Sequence, residues 1–389
     1  MKAFGIIGAN FGDESKGMST AFLASQFSNS LTVRSAGGSQ TSHTVEYNGN
    51  RHAFRHVSSG TWLGSDSYLS KYFISNPIVF CKENNKISRK TKVFVHPESR
   101  LTLPFDMMVN QELEIARGGS RHGSCGMGIN ETVIRCETDY ATHVSDISIP
   151  GLISKIQYIR DNYHAKRFVE LGLEIPEHFY DDGIIGTFAN ECFQYIQASS
   201  FADDSIITKY ETVLFEGNQG LLLDEDHYFF PHVTRSKTGS TNASEMLKNL
   251  SVDEMEVFYC TRTYLTRHGA GPLPFETDGK IYEKIQDATN IPNDFQGSIR
   301  FAPVNLDLLK ESIENDIAKS KIKIIPSLSI SCIDQLPVDC QYVQNGELVE
   351  CKSYELIEKL SNLLKFNRTI HHNGADIKDS YFFESLALH

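Results

Sequence analysis

Short apolar runs alternate along the chain with longer stretches of mixed polarity. The first run, residues 3–8 (AFGIIG), reads as a buried strand, and 16–27 reads as a helix. Further strands are predicted at 31–34, 44–47, 52–57, 77–80, 92–95, 212–215, 256–259 and 323–325. Helices are predicted at 104–116, 153–171, 182–199, 243–250, 305–320 and 353–364. Asn48-Gly49 between two of the strands signals a hairpin. Strands alternating with helices predict an α/β fold with a mostly parallel central sheet flanked by helices. No Pro/Gly/Ser linker, repeat or low-complexity tract divides the chain, so residues 1–389 are expected to form one large domain.

Composition narrows the function classes. Of 389 residues 40% are apolar and 22% charged, which suits a soluble globular protein with an ample core. A net charge of −12 argues against broad binding to nucleic acid or anionic membranes, while leaving room for a local basic pocket. The eight cysteines are scattered without a C-x-x-C pair, as expected of reduced thiols in the cytoplasm rather than a disulfide framework or metal cluster. No signal-peptide pattern opens the sequence, and no apolar run approaches the roughly 18 residues of a membrane span.

The chemistry is concentrated in glycine-rich loops. Between the first strand and helix lies GANFGDESKG (8–17), a strand–turn–helix with a lysine at the helix start, the arrangement that holds phosphate through backbone N–H groups and the helix dipole. It is not the usual nucleotide loop, because only three residues separate Gly8 from Gly12 and Gly17 follows Lys16. The acids Asp13 and Glu14 should repel a phosphate. A second such loop spans 37–43. Three more read as chemical: RHGSCGMGINETVIR (121–135), FEGNQGLLLDEDHYFFPHVTRSKTGS (215–240) and TRHGAGPLPFE (266–276). Asn218 and Gln219 follow an apolar strand, at the carboxyl end where α/β folds place ligands. His371-His372 is discounted as a metal site, since adjacent residues do not face each other.

Taken in order, GDESKG (12–17), GGSQTSHT (37–44), FEGNQG (215–220), DEDHYFFPHVTRS (224–236) and TRHGAGPLPFE (266–276) resemble the adenylosuccinate synthetase family. Its members show G-D-E-G-K-G, G-G-H-N-A-G-H-T, F-E-G-A-Q-G, D-H…P-Y-V-T-S and T-R-x-G-x-G-P-x-P-T-E. The resemblance implies a P-loop-related fold and a magnesium-dependent ligase that joins a 6-oxopurine nucleotide to L-aspartate. It implies that Asp13 takes the purine N1 proton and ligates magnesium with Ser42. His43 would stabilise charge on the 6-oxygen during phosphoryl transfer, and Lys16 would hold the triphosphate. Nucleotide contacts are implied for Gly12, Glu14, Ser15, Gly17, Gln40, Ser42, Thr44, Ser124, Cys125, Asn218, Gln219, Thr234, Ser298, Ser329, Ser331, Asn373 and Gly374. Gln296, Gly297 and Arg300 would bind aspartate. Arg135 is the implied trans arginine that completes a neighbour's nucleotide site, so a homodimer is expected.

The departures bear on specificity. The family's T-K-L-D segment reads guanine through its Asp, but here the stretch is PSLSISCIDQLP (326–337), and the later S-T-G-P loop is HHNGADIKD (371–379). Losing that carboxylate should remove the preference for GTP, so ATP or dATP is expected. Gln40 and Ser42 replace family residues near the acceptor base, and Ser298 stands where an arginine would approach the ribose 2′-hydroxyl. Together these changes resemble the bacteriophage branch, which acts on dGMP, and imply host cytoplasm as the location if the chain is phage-encoded. The alternatives are a conventional IMP- and GTP-using enzyme and a non-catalytic nucleotide-binding homologue.

Overall fold

The computed structural model describes residues 1–87, 91–118, 123–286 and 298–383. In chain order the strands are β1 (Lys2–Gly8), β2 (Ser30–Arg34), β3 (His43–Tyr47), β4 (Asn50–Phe54), β5 (Asp66–Leu69), β6 (Val93–Val95), β7 (Ser200–Phe201) and β8 (Thr212–Gly220). They continue as β9 (Glu254–Arg262), β10 (Tyr264–Arg267), β11 (Arg300–Asn305), β12 (Lys323–Ser331), β13 (Asp339–Gln344), β14 (Glu347–Lys352), β15 (Thr369–His372) and β16 (Ser380–Phe383). Every residue of β1 after Lys2 is buried, which requires cover on both faces and a central place in a sheet. The strand indeed lies between β8 and β9, parallel to both. The ten-stranded sheet runs β16-β15-β12-β9-β1-β8-β2-β5-β6-β7, and its strand pairs are parallel apart from β15 with β16.

A smaller sheet, β10-β11-β13-β14, packs with the helices Leu306–Lys319 and Ser353–Ser361. The hairpin β3–β4 closes through Asn48 and Gly49, both at positive φ, as its sequence predicts. Helices between Pro104 and Gln197 gather a separate aromatic cluster that includes Phe105, Phe168, Phe179 and Phe188.

Three expectations need correction. Residues 77–80 form the start of a helix, Pro77–Asn84: the Asn76 side chain accepts from Val79 N–H, and Pro77 occupies the first turn, where its missing donor costs nothing. The helix predicted at 153–171 is continuous only through a π-helical turn at Arg160–His164. Residues 129–135, within the stretch 121–135 read as loop, belong to the helix Ile129–Cys136, which follows a left-handed Gly128.

Candidate active site

Parallel strands bring their carboxyl ends to one edge, and the loops there are the ones the sequence marks as chemical. Between β1 and β8 the register jumps, with Ile6 opposite Glu216 but Gly8 opposite Gly220. The extra residues of β8 form a bulge that carries Asn218 and Gln219 out of the ladder. Gly17 opens the helix Lys16–Ala24 beside β3, where a Cβ would lie 2.9 Å from His43 Cβ. Only glycine permits that approach, which sets Lys16 and His43 side by side.

The two acids of the loop part company. Glu14 is buried and turns inward: its Oε1 accepts from the N–H groups of Asn10 (3.0 Å) and Gly12 (2.9 Å), and its Oε2 lies 3.3 Å from Lys16 Nζ. It fills the amide-lined concavity as an internal anion, so its side chain braces the loop where a nucleotide contact was expected. Asp13, at φ 59°, keeps a side chain that is 31% exposed. Its Oδ2 lies 2.9 Å from His268 Nε2, and its main-chain oxygen accepts from Arg262 Nε. Burial works against its ionised form, but the His268 hydrogen bond and charge, with Arg262 and Lys16, hold its carboxyl well below the usual range.

His43 Nδ1 lies 2.9 Å from Glu216 Oε1, and its Nε2 is 3.4 Å from the Asn218 carbonyl. Glu216 is fully buried, bonded to Ser59 and 3.5 Å from Arg34 Nη1. Burial would raise its carboxyl, but the charge and hydrogen bond of His43, with Arg34 and Ser59, hold it at about 2. Burial lowers the His43 pKa against the raising effect of the Glu216 charge, and the 2.9 Å approach directs its Nδ1–H to Glu216.

Several buried polar atoms around this edge have no hydrogen-bond partner among the described residues: both amide atoms of Gln40, the Asn218 Oδ1, and the hydroxyls of Ser39 and Thr44. Buried groups of this kind normally find partners, so their clustering marks a polar ligand's place. Ser42 beside them is half-buried. The glycine-rich loop at 123–128 leans on the 266–276 loop, since a Cβ on Gly123 would come 2.6 Å from Gly269 Cα. Ser124 accepts from Asn110 (2.9 Å), and Cys125 is half-buried. Thr234 is half-buried and bonds through its N–H to Leu223 (2.9 Å).

Other expected residues sit elsewhere or are already engaged. Arg135 is fully buried and gives all its donors to Asp106, Leu101, Tyr140 and Thr142, so it cannot reach a neighbouring subunit as expected. Ser329 is buried, 2.9 Å from both Ser19 Oγ and His372 Nε2, while Ser331 bonds back to Thr261. His371 stacks on Phe383, while His372 meets Ser19 and Ser329 on its other side. Arg300 pairs with Glu276 (2.8 Å) and Gly271, and Ser298 is exposed. Asn373 is exposed and Gly374 half-buried in the turn after β15. Gln296 and Gly297 lie outside the described residues.

Sequence reasoning missed Glu216, Arg34, Arg262 and His268 as members of the site. Glu216 and His268 lie within quoted motifs, and Glu216 could have been weighed as the histidine's partner; Arg34 and Arg262 carry no local signal.

A family profile described as adenylosuccinate synthetase matches residues 5–365. Similar curated proteins include adenylosuccinate synthetases of Flavobacterium johnsoniae, 27% identical over 90% of this chain and 84% of that one, and Clostridium beijerinckii, 28% identical over 74% and 68%. Among solved structures, fully ligated adenylosuccinate synthetase of Plasmodium falciparum superposes with a TM-score of 0.80 at 15% identity, covering 99% of this chain and 100% of that one. The succinoaminodeoxyadenylate synthetase of cyanophage S-2L, bound to dGMP and dATP as an energy donor, gives 0.63 at 14%, covering 98% and 95%.

Proposed function

Since the chain belongs to the adenylosuccinate synthetase family and is therefore a C–N bond-forming ligase, we propose that it condenses dGMP with L-aspartate, using ATP or dATP. The product would be N6-succino-2-amino-2′-deoxyadenylate. The observation that carries the donor choice is the end of β12, which offers Ser327, Ser329 and Ser331 where the family resemblance implies a guanine-reading carboxylate. Ser327 is bonded to Glu256, and the nearby Asp376 and Asp379 accept loop N–H groups. The cyanophage enzyme's pairing of dGMP with dATP supports the acceptor choice.

In this reading Asp13, ionised at neutral pH, accepts the N1 proton of the 6-oxopurine. The 6-oxygen attacks the γ-phosphorus of the donor, releasing the nucleoside diphosphate and leaving a 6-phosphoryl intermediate. His43 offers its Nε2 edge to charge growing on that oxygen, and an incoming anion favours its protonated, donating form. Lys16 holds phosphate oxygens. The amine of aspartate then displaces inorganic phosphate and loses a proton.

Magnesium fits the residues present, because it typically takes one or two carboxylates together with substrate phosphates. Asp13 meets that need: among the described residues no hydrogen bond reaches its Oδ1, and no group of three His, Cys, Asp or Glu could hold a metal alone. Asp13 and Ser42 would hold the ion, which would supply neutralisation of charge on the donor phosphates. A homodimer is part of the proposal, with no contribution from Arg135. No helix among the described residues is long and apolar enough to cross a membrane.

The test is a matrix of dGMP, GMP, IMP and dIMP against ATP, dATP and GTP, with aspartate and magnesium present. Highest kcat/KM for dGMP with ATP or dATP is expected. Best use of IMP with GTP would favour the conventional reaction, which the curated relatives' names support.

A further inference from the structure

Asp13 occupies a left-handed backbone conformation at φ 59°, which a non-glycine residue keeps only when its surroundings hold it there. The surroundings come from the far side of the chain. Arg262, the last residue of β9, donates to the Asp13 main-chain oxygen, and His268, just beyond β10, meets the carboxylate at 2.9 Å. The His268 loop is backed in turn by the Gly123 loop, which approaches Gly269 too closely for a side chain. The family pattern T-R-x-G-x-G-P leaves the place of His268 open, so nothing in the resemblance assigns it a role.

Building on the proposed reaction, we infer that His268 is a positioning residue for Asp13, fixing the plane of its carboxylate so that a free lone pair faces the purine N1–H. The terminal torsion of an aspartate is broad and roughly two-fold, so an untethered carboxylate samples many planes. One hydrogen bond to Oδ2 selects one plane. An ionised carboxylate has about four acceptor sites, so this bond leaves others for the purine proton and a cation. Either the Nε2–H tautomer or the imidazolium donates, and the role therefore does not depend on the charge of the ring. The ring is 26% exposed, so its replacement should not disturb the core.

Replacing His268 by Ala removes the donor, and His268→Gln restores an N–H at similar reach. His268→Ala is expected to lower kcat by about 10- to 100-fold, with KM for both nucleotides within about twofold, as for a base held off its line. His268→Gln should recover most of the loss. On an Asp13→Asn background, His268→Ala should cost nothing further. Unchanged kcat, a loss appearing only in KM, or full additivity with Asp13→Asn would overturn the assignment. A readout free of turnover uses ¹⁵N-histidine NMR of the ligand-free protein, with His268 assigned by its absence in His268→Gln. Asp13→Asn should move the His268 ring nitrogen signals, and their indifference would also overturn it. Inactivity of the unmutated enzyme on every nucleotide pair, with the NMR coupling present, would instead count against the proposed reaction alone.

Discussion

Asp13 and Glu14 are adjacent acids with opposite duties, and the difference is one of direction. Glu14 neutralises loop amides and Lys16, while Asp13 faces outward under the hold of His268. Asp13→Asn cannot accept a proton, so kcat should fall by about 10²–10⁴-fold with nucleotide binding retained. Steady-state kinetics beside equilibrium nucleotide titration check this, and near-normal turnover would remove Asp13 from the mechanism. His43→Ala should cost about 10²–10³-fold in kcat with little change in KM, because its donor matters where charge develops. A loss confined to affinity would make it a binding residue. The roles proposed for Asp13 and His43 rest on five motifs that keep their order around them. The role inferred for His268 was not legible in them, because its partner stands 255 positions earlier, from residue 13 to residue 268.

At the scale of elements, the helix Lys16–Ala24 and the strand β3 must touch for the site to exist. Gly17 permits it, with a Cβ there meeting His43 Cβ at 2.9 Å and its carbonyl carbon at 3.1 Å. Ala is ordinarily better than Gly inside a helix by about 1 kcal/mol. Gly17→Ala should reverse that sign, lowering Tm and kcat together as the helix start is pushed from β3. A higher Tm with unchanged kcat would show that the contact yields freely. The β8 bulge belongs to the same scale. Its apolar start was predicted at 212–215, but the register jump that turns out Asn218 and Gln219 arises only from pairing with β1. The strand predicted at 77–80 failed for a local reason, an Asn-Pro helix start outweighing an apolar run.

Across the whole molecule, buried ion pairs brace the helical region and the carboxyl edge of the sheet separately. Asp106 takes Arg135 and His164 at 2.8 Å each. Removing one partner of such a pair leaves a buried charge, so Arg135→Ala should cost about 3–5 kcal/mol in denaturant unfolding. Mixing Arg135→Ala with Asp13→Asn subunits should give no activity beyond what the Arg135→Ala subunits show alone, since the guanidinium is committed within its own chain. Recovery after verified subunit exchange would return it to a trans role. Stability should also fall in acid. Burial opposes the Glu216 charge, but His43, Arg34 and Ser59 hold its carboxyl at about 2 in the folded state, against an ordinary 4.5. The unfolded chain then binds the extra proton, so this stabilisation is complete above pH 4.5 and is lost as pH falls toward 2. The shift corresponds to about 3 kcal/mol. Thermal melts from pH 7 to pH 3 should show the decline, and Glu216→Gln should flatten it.

By itself the sequence determined the alternation that makes a parallel sheet, the loops that carry chemistry, and the ordered motifs that name Asp13, Lys16 and His43. Those signals are local or repeat in a known order. Tertiary structure alone decided which acid faces outward, that Arg135 is spent inside the chain, and that Arg262 and His268 grip Asp13. The grip on Asp13 depends on hydrogen bonds spanning long stretches of chain, as with Arg262 and Asp13 at a separation of 249 residues. No periodicity along the sequence encodes such a pairing; it exists only once β9 and β10 have brought that segment to the carboxyl edge of β1.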